Sequence, residues 1–280
     1  MPAAIIVDLV SFESKKKKFI ADGPSSIQVV SDFDRTLTTP FYNGQKTNTA
    51  ISQIRQNNLL GEEYSKKSFA LFNKYHAIEV DQSLPVEKKI PLMEEWWSKH
   101  LGIIVQYGMT KSIANKIVVI QAKYVRKGFK GFFKSLCSKD IPVLILSSAL
   151  GDVIEGVLKK HKLFTKNIHV ISNYFSFDSK GNATGYKGKI VHVFNKDESQ
   201  IKGTPYFSKI ASRRNVVLLG DSLGDLKMVG QIPYDKIIKV GFFAETSGVG
   251  LEEFKENFDV VLFGGASLEF VNDLLKELLG

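Results

Sequence analysis

The chain has 280 residues, 44% of them hydrophobic, enough to bury one full core and a smaller accessory unit. Its single cysteine, Cys137, excludes an internal disulfide framework and suits a reducing cytosol, and no apolar run reaches the length of a membrane-spanning helix. A net charge of +9 points to anionic partners without singling one out: phosphorylated metabolites, nucleic acid or a membrane surface.

The opening residues 1–10 are apolar but lack a basic leader and a cleavage pattern, so no secretory signal is expected. Phe12 to Ile20 carries Lys15 to Lys18 and reads as a short helix with one solvated basic face. Gly23-Pro24 breaks the chain before a β-branched run, Ile27 to Ser31. That run ends in Asp32-Phe33-Asp34-Arg35-Thr36. Alternate residues of an extended segment point the same way, so Asp32 and Asp34 share a pocket while Phe33 packs elsewhere. Two carboxylates this close call for a cation or a shared proton. Taken alone, the motif equally fits an acidic turn.

From Pro40 to Lys127 strand character is scarce and helical patterns follow one another. Thr47 or Asn48 is expected to cap a helix through Leu60. Glu62 to Val80, Val86 to His100 (with Pro91 near its first turns) and Thr110 to Leu136 (broken near Gly128 and Gly131) are further helices. Cys137 follows this last apolar stretch and reads as a buried structural thiol. After Pro142, strand-like runs end at Ser147, Ser172, Leu219, Gly241 and Phe263, mostly with helices between, which favours a parallel doubly wound sheet. Tyr174 to Lys189, with Asp178-Ser179-Lys180-Gly181 at its centre, reads as a β-hairpin placed to steady the loop that follows. That loop contains Lys196. Beyond Asn215 to Leu219 lies Gly220-Asp221-Ser222-Leu223-Gly224-Asp225.

In chain order, Asp32 to Thr36, Ser147, Lys196 and Asp221 with Asp225 resemble the four motifs of the haloacid dehalogenase phosphatase superfamily. Ala77 to Asp81, Glu95-Trp96, Ser147 to Asp152, His192 to Lys196 and Leu218 to Ser222 are similar to the cytosolic pyrimidine 5'-nucleotidases of type III. The likeness runs from about Val30 to the C-terminus. It implies an α/β fold: a doubly wound parallel sheet forming a core domain of residues 1–39 and 128–280, with an inserted α-helical cap domain of residues 40–127.

The resemblance also implies roles. Asp32 is the nucleophile and Asp34 the general acid–base. Mg2+ is held by the side chains of Asp32 and Asp221 and the backbone carbonyl of Asp34, and Asp225 orients a water or Lys196 behind them. Ser147, Ser148 and Lys196 hold the phosphoryl group, while Glu79, Trp96 and His100 face the nucleoside. Trp96 and Trp97 are adjacent on a helix, so one is expected in the core and the other, Trp96, against a base. His192 is expected to be structural. Two departures stand out: His100 replaces a substrate-contacting serine, and Ala149 replaces a glycine.

The implied activity is magnesium-dependent hydrolysis of nucleoside 5'-monophosphates, CMP and UMP first. It extends to 7-methylguanosine monophosphate and to phosphoryl transfer onto another nucleoside. The nearest rival is a phosphatase of another small phosphomonoester such as phosphoserine, for which Glu79 and the tryptophans are less suited than basic residues. The expected protein is a cytoplasmic monomer with a small-molecule substrate, binding neither nucleic acid nor membrane.

Overall fold

The computed structural model describes residues 4–81, 83–197, 201–202, 204–230, 233–244 and 249–280. A short strand β1 (Ala4–Ile6) and helix α1 (Leu9–Asp22) come first, the helix capped by the Asp8 carboxylate accepting from the Ser11 amide. Strand β2 (Ile27–Ser31) is buried end to end. The small hairpin β3 (Phe41–Tyr42) and β4 (Gln45–Lys46) follows, then helices α2 (Ser52–Gln56), α3 (Glu62–Val80), α4 (Val86–Gln106) and α5 (Lys111–Gln121). The rest alternates: α6 (Phe129–Ser138), β5 (Val143–Leu150), α7 (Gly151–Lys160), β6 (Ile168–Phe177), β7 (Ala183–Lys187), α8 (Pro205–Ile210), β8 (Asn215–Gly220), β9 (Lys236–Phe243), α9 (Leu251–Asn257), β10 (Val260–Phe263) and α10 (Glu269–Leu279).

Among the described residues one eight-stranded sheet runs β1-β10-β9-β8-β2-β5-β6-β7. The inner pairings are parallel; only the edge strands β1 and β7 are antiparallel. Alternation along each inner strand feeds two cores. Val29, Ile145, Val217 and Leu219 belong to one, and Val30, Leu144, Leu146, Val216 and Leu218 to the other. Such double burial explains why these strands read as continuous apolar runs.

The strand-and-helix alternation appears as expected, with four differences. The three residues of β1 are too few to show any alternation in sequence. The helix expected from Thr47 to Leu60 is only Ser52–Gln56. Thr47 is held instead against the first chain crossing, its amide on Pro40 O and its hydroxyl on Thr39 O. Cys137 is exposed, not buried. The apolar stripe of α6 is Phe129, Phe132, Phe133 and Leu136, and one further residue turns the next side chain about 100° away from it. Finally, β6 continues through Ser172 into the hairpin, whose turn docks on the α4–α5 junction: the Lys111 amide donates to Gly181 O and the Ala183 amide to Met109 O.

The inserted helices join the sheet through two crossing segments. Thr38 and Val125 form an isolated antiparallel bridge, and the Thr39 amide donates to Tyr124 O. Helix α5 lies against α7, so closely that a Cβ at Gly156 would sit 2.4 Å from a Val118 methyl.

Candidate active site

Strand β2 lies between β5 and β8, with Ser31 level with Ile145 and Leu219. Asp32 and Asp221 therefore follow β2 and β8 at one edge of the sheet, with Ser147 beside them in β5 just past Leu146, where its regular pairing with β6 breaks; open α/β folds bind ligands at this edge. Phe33 turns into the core and is fully buried. Arg35 takes a left-handed φ of 63°, which folds the chain back so that the Arg35 amide donates to Thr38 Oγ1. The Ala50 amide reaches Asp34 Oδ2 at 3.4 Å, while Asp34 Oδ1 is buried without a partner.

Lys196 binds this cluster from across the chain. Its Nζ lies 2.7 Å from Asp32 Oδ1 and 3.1 Å from Asp225 Oδ1. The other Asp225 oxygen accepts from the Asp221 and Ser222 amides and the Ser222 hydroxyl, all near 3.0 Å. A Cβ on Gly220 would lie 2.6 Å from Asp225 Cβ, so the glycine is what lets that carboxylate tuck under the turn. The carboxylates of Asp32, Asp221 and Asp225 each bring an oxygen within 4.8 Å of the others.

Withdrawal from water raises Asp32 above the ordinary carboxylate range, against the pull of Lys196. Withdrawal from water and the Asp32 charge push Asp34 up to about 7. Asp221 rises well above its usual value through burial and the charges of Asp225 and Asp32. Burial alone would lower Lys196, but Asp225 and Asp32 outweigh it and hold the ammonium charged.

Ser147 is buried, its hydroxyl accepting from the Ala149 amide at 3.3 Å; Ser148 is half-buried beside it. Ala149 needs no left-handed backbone and continues β5, so the absent glycine costs nothing here. The Lys196 loop is braced internally by Asn195, which accepts from the His192 amide and donates to Ile190 O. His192 is fully buried, its Nδ1 accepting from the Phe194 amide.

Among the inserted helices, Glu79 is half-buried and bonded to His76 Nδ1 at 2.8 Å. Trp96 is 7% exposed and lies parallel to Tyr75, ring centroids 5.9 Å apart; Trp97 is the more exposed of the pair. Phe194 of the Lys196 loop packs against this aromatic group, joining the inserted helices to that loop. His100 is buried, Nε2 within 3.1 Å of Tyr64 Oη and 3.0 Å of Ser68 Oγ, and burial drives its pKa down to about 3.

A family profile described as pyrimidine 5'-nucleotidase (UMPH-1) matches residues 35–279. The chain belongs to the pyrimidine 5'-nucleotidase family. Among curated relatives, 7-methylguanosine phosphate-specific 5'-nucleotidase A of Xenopus laevis is 36% identical over 270 residues, spanning 96% of this chain and 93% of its own. The crystal structure of cytosolic 5'-nucleotidase IIIB bound to cytidine superposes with a TM-score of 0.89 at 26% identity, covering 99% of this chain and 94% of that one. Phosphoserine phosphatase shares the fold alone, with a TM-score of 0.53 at 17% identity over 89% of this chain and 98% of that one.

A pyrimidine 5'-nucleotidase is a phosphoric monoester hydrolase, and its fold implies a divalent metal. The residues here fit one. Three clustered carboxylates face the single ammonium of Lys196, and among the described residues no donor reaches the Asp221 carboxylate. An all-oxygen, electron-rich cluster of this kind suits a hard divalent cation. Sequence reasoning passed over three residues. Asn173 donates to Ser148 O and Val191 O and accepts from the Val191 amide, tying β5 to the Lys196 loop. Arg126 donates to the carbonyls of Arg35, Thr36, Gly264 and Ala266. Arg55 is buried on α2 beside Phe72. Their partners lie far off in sequence or in an aromatic cluster, and no local pattern marks them.

Proposed function

We propose that this pyrimidine 5'-nucleotidase hydrolyses nucleoside 5'-monophosphates through a phosphoryl group carried on Asp32, with Mg2+ as its metal. An Asp32 carboxylate oxygen attacks phosphorus as the ribose 5'-oxygen departs with a proton from Asp34. Water then gives a proton to Asp34 and attacks the same phosphorus, releasing phosphate and restoring Asp32. The observation that carries this reading is the contrast between the two acids: Asp32 Oδ1 is held by an ammonium, while Asp34 Oδ1 is buried with no partner. A carboxyl pushed up to about 7 suits proton transfer near neutral pH. When bound to Asp32, Asp221 and the Asp34 carbonyl, with Asp225 behind them, the metal supplies positive charge for the phosphoryl oxygens. Ser147, Ser148 and Lys196 donate to those oxygens.

Residues 40–127 act as a cap over a core of residues 1–39 and 128–280, and Glu79, Trp96 and His100 meet the nucleoside there. The Thr38–Val125 bridge between the two linking segments supports that division. CMP and UMP are the first substrates, and the enzyme works as a cytoplasmic monomer. Phosphate release from CMP, UMP, AMP, GMP and phosphoserine, with magnesium or with chelator, tests the reading. Release from nucleotides, dependent on magnesium and lost by at least a thousandfold in Asp32→Asn, is expected. Release from phosphoserine alone would refute the assignment of the cap.

A further inference from the structure

Arg55 stands apart from the other cationic side chains. It is 7% exposed, yet among the described residues no carboxylate pairs with it and its Nε is buried without a hydrogen-bond partner. One terminal nitrogen donates to Ser52 Oγ at 3.1 Å. The guanidinium lies 4.5 Å over the Phe72 ring. Phe72 in turn neighbours Trp96 at 6.1 Å and stacks on His76 at 4.7 Å, and His76 holds Glu79. Arg55 is therefore built into the aromatic group that the nucleotidase reading gives to the base.

Its position in the chain fits that place. The Ala50 amide touches Asp34, and α2 starts two residues later. Arg55 is five residues on from Ala50, which keeps it in the same short segment as the contact to the reacting acid. A buried cation with an unused donor costs stability unless something repays it. An acceptor oxygen on a bound base does so; a second positive charge raises the cost.

The structure assigns Arg55 as a specificity residue that accepts neutral bases presenting a carbonyl oxygen, as in UMP, CMP or GMP, and turns away the positively charged 7-methylguanine. The inference rests on the nucleotidase reading above. It separates this chain from its 36%-identical relative, whose name specifies 7-methylguanosine phosphate. Glu79, bonded to His76 through one oxygen, brings a single negative charge that the Arg55 cation offsets. His100 adds no charge, since burial holds it neutral.

The test is a comparison of kcat/KM for UMP, GMP and 7-methyl-GMP in the wild type, Arg55→Met and Arg55→Lys, with p-nitrophenyl phosphate run beside the wild type. The better neutral nucleotide is expected to exceed 7-methyl-GMP by at least tenfold in the wild type. That ratio should fall at least fivefold in Arg55→Met and persist in Arg55→Lys. A wild type that prefers 7-methyl-GMP overturns the inference. So does a ratio in Arg55→Met within twofold of wild type, which is what a merely structural Arg55 would give. If Arg55→Met does not fold, Arg55→Gln, which also removes the charge, is read in its place by the same thresholds. Turnover of p-nitrophenyl phosphate with none of the nucleotides would instead mark failure of the nucleotidase reading itself, and the inference would fall with it.

Discussion

At the scale of single residues, the acid cluster is set by clearances of a few tenths of an ångström. Gly220 shows this most directly. Its φ is unremarkable, so the need for glycine comes from space: an added Cβ would meet Asp225 Cβ at 2.6 Å and Oδ2 at 2.9 Å. Asp225 has no slack to give, because its two oxygens together hold Lys196, the Asp221 and Ser222 amides and the Ser222 hydroxyl. Gly220→Ala is expected to move Asp225 and, through it, Lys196 and Asp221. The displacement should lower kcat by roughly a hundredfold, the order seen for misplacements near 1 Å, and cost about 1–3 kcal/mol of stability through overpacking. Steady-state kinetics on the fastest nucleotide and a urea melt measure both. A variant with wild-type kcat would show that the close approach is incidental to the chemistry.

At the scale of elements, the junction between the inserted helices and the sheet is tied by Arg126. Its guanidinium lies 4.1 Å over the Phe242 ring and donates to four carbonyls drawn from the Asp32 loop and the segment after β10. Burial lowers its pKa to about 9, still charged at neutral pH. Arg126→Met keeps the apolar stem but leaves those carbonyls without donors. We expect a loss of about 3 kcal/mol or more, since hydrogen bonds to charged groups exceed neutral ones. Because the Arg35 and Thr36 carbonyls adjoin Asp34, kcat should drop with stability. A urea midpoint within 0.3 kcal/mol of wild type would remove Arg126 from this role.

The same junction explains what was legible in the sequence. That Asp32 with Asp34, and Asp221 with Asp225, would leave the sheet together was legible because each pair follows a fully buried strand and needs only local geometry. The core strands read well for the same reason. Arg126 binds carbonyls about 90 and 140 residues away, and Asn173 ties segments 18 and 25 residues from it. No window of local periodicity contains such partners. Cys137 misread because its apolar neighbours belong to a stripe it just misses. Helix α2 misread because Asn48 O, at the expected cap, accepts side-chain bonds from Gln53 and Gln121, the latter 73 residues on.

At the scale of the whole molecule, the inserted helices and the Lys196 loop each bury a neutral histidine. His100 lies beside Tyr64 and Trp97, and His192 under the Lys196 loop with its Nε2 unpartnered. Burial lowers them to about 3 and about 4. The unfolded chain, near 6.5, binds protons that the folded chain refuses. Their contribution to stability is complete above pH 6.5 and is lost as pH falls towards 4 and 3. Asp34 works in the opposite sense. Raised to about 7 in the fold, it holds a proton that the unfolded chain releases above 3.8, so its contribution is lost as pH rises through 7. The raw pH profile therefore mixes both signs, and a difference between proteins isolates one. Between pH 6 and 4.5 the stability of wild type minus His100→Gln should fall by up to about 1.4 kcal/mol per pH unit, the value of one proton. Glutamine can still meet Tyr64 and Ser68, so the variant is expected to fold. Urea unfolding at four pH values across that window gives the slope. A difference independent of pH would mean that His100 accepts its proton in the folded state, and that its surroundings open to water well before the protein unfolds.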